Sequence, residues 1–262
     1  MRWRYFFLCF LIPGFFIPAT LFSLDVQEIL DRSDQVIHPP NLEGNFVMTL
    51  ISKRGDTRIT KVEAYQKKMG DERENRLFLF TFPPSVRGTG LLVHSYFDRD
   101  QDRMWIYLPA VGKIKRVNLS SAGGGYFMGS DFTYSDLISF NRDDFDYQLV
   151  GEASFNDEQC YLILRQGKTR AIQRQYGYSK DEQYIRKSDF VPVRIVFYDL
   201  AGDLLKELSV QKVEEIGTHR YPSHVTMENK RTGHMSRIEF EDIRATDDIP
   251  DEYFTHRYLM TY

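Results

Sequence analysis

Four runs in this chain, Leu77-Phe78-Leu79-Phe80, Leu91-Leu92-Val93, Trp105-Ile106-Tyr107-Leu108 and Tyr161-Leu162-Ile163-Leu164, place apolar side chains on both faces of a strand. A sheet made of such strands has to be covered on both sides. It either closes into a packed barrel or keeps an apolar hollow for a guest. Aromatic residues make up 15% of the chain, which favours strands over helices.

The strand signals continue between these runs. Gly44–Lys53, Thr57–Lys68 and Glu72–Phe82 are separated by the short turns Arg54-Gly55-Asp56 and Met69-Gly70-Asp71 and read as a meander. Gly88–Phe97, Arg103–Leu108 and the basic Lys113–Asn118 follow. Then come Tyr147–Ala153, Glu158–Gln166, the cleanly alternating Val191–Asp199, Leu204–Ile216, and a last hairpin of Tyr221–Asn229 and His234–Ile243. Helical spacing occurs in Leu24–Ile37, ended by His38-Pro39-Pro40, near Tyr134–Phe140, and at about Asp251–Met260. Ten or eleven antiparallel strands with two or three helices is an α+β plan. Without repeat or linker, residues 24–262 are expected to form a single domain.

Residues 1–23, MRWRYFFLCFLIPGFFIPATLFS, read as a cleavable signal peptide: two arginines, an apolar stretch from Tyr5 to Phe22, and small residues at Ala19 and Ser23. Pro13, Gly14 and Pro18 interrupt it as a spanning helix. Export is therefore expected. Of two cysteines, Cys9 sits inside the apolar stretch, and Cys160 would be alone in the mature chain, without an internal disulfide. The whole chain has 34 Lys+Arg against 37 Asp+Glu, a net charge of -3, and loss of Arg2 and Arg4 takes it to -5. With no basic block, a nucleic-acid partner is not expected.

Catalytic and metal signals are thin. No two of His38, His94, His219, His224, His234 and His256 have a helical ligand spacing, so no metal is expected. Gly123-Gly124-Gly125 lacks the Lys-Ser/Thr pair of a phosphate loop. Asn141, Asp143, Asp144 and Asp146 lack the glycine and glutamate of a calcium loop. No cofactor is expected, and the chain does not read as an enzyme.

Met104–Phe140 is more informative. Its features are Trp105-Ile106-Tyr107-Leu108-Pro109, the basic Lys113–Arg116, Phe127-Met128-Gly129-Ser130-Asp131-Phe132, Tyr134 and Asp136-Leu137. Around them stand the Ile29-Leu30 helix, Phe82-Pro83-Pro84 before Gly88-Thr89-Gly90, and the terminal Phe254-Thr255-His256-Arg257-Tyr258-Leu259. This pattern resembles the LolA-like outer-membrane lipoprotein-sorting family over nearly the whole mature chain.

The resemblance implies a curved antiparallel sheet forming an unclosed half β-barrel, with helices covering its concave side. It implies a periplasmic carrier that binds acyl chains of lipoproteins, or lipids, in an apolar cavity and sorts them to the outer membrane. The implied partners are an inner-membrane ABC or RND-type transporter and an outer-membrane acceptor. An envelope sensor, a scaffold or an exporter partner using the same half-barrel is the alternative. The expected cavity wall is Met48, Leu50, Phe80, Phe82, Trp105, Tyr107, Phe197 and Phe240, with Leu30 and Ile37 from the covering helix. Phe127, Met128, Gly129, Ser130, Asp131 and Phe132 read either as a mouth or partner loop or as a sheet-closing turn, with Gly129 in a conformation other residues resist and Asp131 capping the next helix. For the arginine that holds the lid in the best-known carrier, the candidates are Arg54, Arg58 and Arg73.

Overall fold

The computed structural model describes residues 24–39, 41–97, 102–120, 123 and 125–262. The expected signal peptide, with Cys9, lies outside them, as do Pro40 and Gly124.

Thirteen strands form one antiparallel sheet. In chain order they are β1 (Asn41–Ile51), β2 (Thr57–Met69), β3 (Arg73–Phe82), β4 (Gly90–Tyr96), β5 (Arg103–Leu108), β6 (Lys113–Arg116), β7 (Phe145–Phe155), β8 (Glu158–Gly167), β9 (Lys180–Arg186), β10 (Pro192–Tyr198), β11 (Leu204–Ile216), β12 (His219–Asn229) and β13 (Met235–Ala245). The helices are α1 (Val26–Ile37), α2 (Arg170–Tyr176) and α3 (His256–Thr261), with one-turn 3₁₀ segments at Tyr134–Leu137 and Asp251–Phe254. Sequence reading counts ten or eleven strands. It misses α2 and β9, and it makes one helix of the 3₁₀ turn and α3.

The order is β6-β5-β4-β3-β2-β1-β13-β12-β11-β10-β9-β8-β7. Two meanders are joined where β1 pairs β13, and β6 and β7 are left as opposite edges. The half-barrel is unclosed. The chain must therefore pass from one edge strand to the other between residues 117 and 144, and Leu119, Phe127, Phe132 and Ile138 of this crossing segment pack on the inner face.

Register assigns every side chain to a face, because successive residues alternate. Met48 pairs Ile238, Phe46 pairs both Val62 and Phe240, and Val62 pairs Phe80. These point inward, as do Leu208, Met227, Phe197 and Gln183 on the other meander. Their core is completed by Phe127, Phe132 and Ile138 from the crossing segment and by Tyr176 from α2. Beside them α1, capped by Asp25 accepting from the Glu28 amide at 2.8 Å, buries Ile29 and Leu30 against Ile163 and Ile185.

The outer face of β3–β5 has its own cover. Leu77, Leu79 and Leu92 are buried under Ile249, Phe254 and Leu259 of the C-terminal segment. A Cβ on Gly90 would lie 2.5 Å from Leu259 Cδ1, so α3 seats closely on β4 and the Leu259 side chain would have to shift for any larger residue there. The sheet is thus apolar on both faces where it is covered on both.

Candidate functional site

The inner face is not filled evenly. Over β1–β5 the crossing segment packs tightly: Phe127 is 1% exposed, with ring centroids 5.8 Å from Phe80 and 6.4 Å from Phe78. Met48, Leu50 and Phe80 lie in this packed core. They belong to the inner face, as expected, but they line neither void described below. Nor do Trp105 and Tyr107. They project from the outer face and pack with the C-terminal cluster, Trp105 lying 4.5 Å from the His256 ring. Phe82 is 43% exposed at the end of β3.

Of the loop read either as a mouth or as a turn, Phe127, Ser130, Asp131 and Phe132 are buried, whereas Met128 is half-buried and Gly129 exposed. Gly129 takes φ +80°, as the turn reading requires, and Met128 precedes it at φ 49°. Asp131 does not cap the next turn. Thr133 does, with its amide donating to Asp136 Oδ2 at 2.7 Å, while Asp131 accepts from Ser236 Oγ at 2.7 Å and pairs with His234 Nδ1 at 2.6 Å.

This segment is fastened by a buried polar network that sequence reading missed. Lys206 of β11, fully buried, donates to the Asp131 carbonyl at 2.9 Å and to Asp136 Oδ2 at 2.6 Å. Tyr178 donates to Asp136 Oδ1 at 2.7 Å, and Ser135 donates to the Tyr176 carbonyl at 2.8 Å. Burial holds the Lys206 ammonium below its ordinary pKa, and burial followed by the Asp136 charge pushes the Tyr178 phenol up. A second buried pair, Arg165–Asp181 at 2.7 Å, sits under the Phe140 ring. The sequence signal was present at Lys206: it occupies an inward position in the alternation Lys206, Leu208, Val210.

Among the described residues, two voids on the inner face reach α1. The smaller, about 290 Å³, has aromatic and aliphatic walls, among them Phe46, Phe78, Phe240, Val225 and Ile238, with Phe127 and Ile37 also on its lining. Phe240 packs against Phe46 at 5.2 Å and Tyr221 at 5.3 Å. The larger, about 610 Å³, lies between α1 and the sheet and takes in Leu30, Ile37, Phe132, Ile138, Phe197 and Met227. Of the expected wall, Leu30 and Phe197 line the larger void, Phe240 the smaller, and Ile37 both. The voids adjoin: Ile37, His38, Arg76 and Asp136 line each of them. Phe46 and Phe78 were legible as wall residues, since each stands two positions from an expected inward one.

The α1 wall is fastened from outside as well as from within. Arg142, from the far end of the crossing segment, pairs with Asp31 at 2.5 Å and Asp34 at 2.6 Å on its solvent side. The arginine holding this helix is therefore Arg142. Of the three candidates, Arg58 donates to the Met128 carbonyl, Arg73 lies beside Tyr96, and Arg54 sits in the β1–β2 turn with its amide donating to Ser52 Oγ.

A polar rim bounds the apolar walls. Arg76 pairs with Glu74 at 2.6 Å and donates to the Leu137 carbonyl at 2.9 Å, while its buried Nε has no acceptor among the described residues. Burial pushes the Tyr221 phenol up to about 12, so it stays protonated. No helix among the described residues is long and apolar enough to cross a membrane.

A family model whose description reads "Uncharacterized protein" matches residues 72–261. No curated protein matches the chain. Among solved structures, a DUF1329 family protein from Desulfovibrio piger is 29% identical, with TM-score 0.82 over 88% of this chain and 96% of that one. An outer membrane lipoprotein-sorting protein domain from Vibrio parahaemolyticus has TM-score 0.81 at 24% identity, covering 89% of this chain and 97% of that one. A LolA superfamily protein from Nitrosomonas europaea has TM-score 0.69 at 23% identity, covering 90% of this chain and all of that one.

Proposed function

The chain belongs to the family matched over residues 72–261, whose fold is LolA-like, and on that premise we propose that it is a non-enzymatic periplasmic carrier that holds acyl chains of lipoproteins or lipids between α1 and the sheet and passes them towards the outer membrane. The observation that carries this reading is the pair of adjoining voids on the inner face, walled by apolar side chains and left unfilled by the protein's own. The larger is in the range of ordinary ligand sites, roughly 300–1,000 Å³.

The energetics favour a carrier of this shape. Each methylene exposed to water costs about 0.8 kcal/mol, so a chain of about sixteen carbons resists spontaneous crossing of an aqueous compartment by roughly 12 kcal/mol. A protein wall substitutes for the membrane. Because the crossing segment packs over Met48, Leu50 and Phe80, the guest is confined to the two voids, both of which reach α1, and release requires α1 to yield. Handover then goes to whichever acceptor binds the chain better.

The filled half of the inner face favours a second reading, a scaffold that binds a protein partner. One experiment separates them. Protein purified from its own envelope is extracted and analysed by mass spectrometry, and the emptied protein is titrated with a fluorescent acyl probe. Co-purifying acyl species and saturable probe binding are expected. Neither species nor binding would leave the scaffold.

A further inference from the structure

A buried tyrosine hydroxyl normally finds a hydrogen-bond partner. Tyr221 is half-buried on the wall of the smaller void, and its hydroxyl has no hydrogen-bond partner among the described residues. On that same wall Arg76 Nε, which is buried, has no acceptor. Two donors thus lie at the chamber wall without a protein acceptor: the Tyr221 hydroxyl, and an Arg76 nitrogen whose burial leaves it almost no surface towards the chamber. The aromatic stack Tyr221–Phe240–Phe46 fixes the ring from which one of them projects.

The charges around these donors decide what could accept from them. The Arg76 guanidinium is already neutralised by Glu74, and Asp136, bound by Lys206, Tyr178 and the Thr133 amide, lines the void too. Arg142 and Arg165, on the larger void, are each paired with carboxylates, and Lys68 pairs with Asp71. Among the described residues, no Lys or Arg without a carboxylate partner lines either void, so a free carboxylate or phosphate would enter without a lysine or arginine counter-ion. A neutral acceptor oxygen meets no such penalty.

We propose that Tyr221, with Arg76 beside it, forms an acceptor-reading subsite in the smaller void that selects acyl chains by a neutral carbonyl, as in an ester or amide, over free fatty acids and plain hydrocarbons. The proposal rests on the carrier reading and adds to it a residue and a discrimination. The hydrocarbon tail occupies the aromatic wall, and the carbonyl oxygen accepts from the Tyr221 hydroxyl.

The test uses the full mature chain and three probes of matched length: a long-chain alkane, the fatty acid and its methyl ester, each competing with a fluorescent acyl probe. For the unaltered protein, the ester is expected to bind about 3- to 10-fold more tightly than the alkane, the range of one net hydrogen bond, and more tightly than the acid. In Tyr221→Phe the ester is expected to fall to the alkane's affinity while the alkane is unchanged. The alkane value reports that the chamber is intact, so a misfolded variant is recognised at once. An ester preference that survives in Tyr221→Phe, or equal binding of ester, acid and alkane to the unaltered protein because water alone satisfies the hydroxyl, would overturn the subsite and leave the carrier standing. Failure of all three probes would instead refute the carrier.

Discussion

Lys206 shows how one residue organises the inner face. It is fully buried, stacked near the Tyr178 and Phe197 rings at 5.1 and 5.4 Å, and its charge is met by Asp136. Removing one partner of a buried pair leaves the other uncompensated, which costs about 3–5 kcal/mol. Lys206→Met is therefore expected to lose about that much stability in urea unfolding, and Lys206→Met with Asp136→Asn to lose less than the single change. A single-variant loss below about 1 kcal/mol would show that the pair does not fasten the segment. At this scale the sequence was only half legible. Alternation marks Lys206 as inward, but nothing local names Asp136 as its partner 70 residues away. Trp105 was misplaced for a related reason. In a strand apolar on both faces parity has no polar side to orient it, and the C-terminal cover that settles the question lies some 150 residues further on.

At the scale of elements, α1 and the C-terminal segment cover opposite faces by different means. α1 is held inside by Ile29 and Leu30 and outside by Arg142. Because Arg142 is 31% exposed, its pairs are screened, and Arg142→Ala should lower global stability by only about 1 kcal/mol or less. Amide exchange in α1 should nevertheless accelerate, because the helix loses its solvent-side fastening; unchanged exchange would mean that apolar contacts alone close it. The C-terminal segment is tied through His94, whose Nε2 meets the Phe254 carbonyl at 3.1 Å beside Trp105. Burial lowers the His94 pKa from 6.5 to about 4. A depressed histidine stabilises the fold fully above pH 6.5, and that contribution is lost as pH falls towards 4, because the unfolded chain takes up the proton first. Asp102 works the opposite way: burial raises it from 3.8 to about 6, so its contribution is lost as pH rises through that window. Comparing the unaltered protein with His94→Gln cancels Asp102. The stability difference between them should shrink from pH 7 to pH 4, and a flat difference would remove His94 from the account. Strands with alternating apolar residues were readable in the sequence, whereas β9, Lys-Asp-Glu-Gln-Tyr-Ile-Arg, was not. Its inward Asp181 and Gln183 are polar because they serve Arg165 and each other rather than the apolar core.

For the whole molecule, the question is whether the space between sheet and cover is a packing remnant or a place kept for a guest. A well-packed interior gains from filling a void, whereas a site loses its ligand. Ala64, half-buried on β2 beside Phe46 and Phe78, lines the smaller void, so Ala64→Phe puts a ring where the proposed guest would lie. If the void is kept for a guest, the unaltered protein should gain about 2.7 kcal/mol at a hundred times the dissociation constant of an acyl ester, a rise in melting temperature of roughly 5–10 °C. Ala64→Phe should melt at or slightly above the unliganded protein and show little ester-induced rise. Equal ester-induced rises in both proteins would place the guest elsewhere, in the larger void under α1 alone. Both proteins rising by nothing, with Ala64→Phe the more stable, would identify the chamber as unfilled core. The half-barrel itself was legible from the two-sided apolar strands and the Met104–Phe140 pattern, but the division of its inner face into a plugged half and an open half was not. That division arises because residues 117–144 must bridge edge strands β6 and β7, a constraint that appears only once the strand order is known.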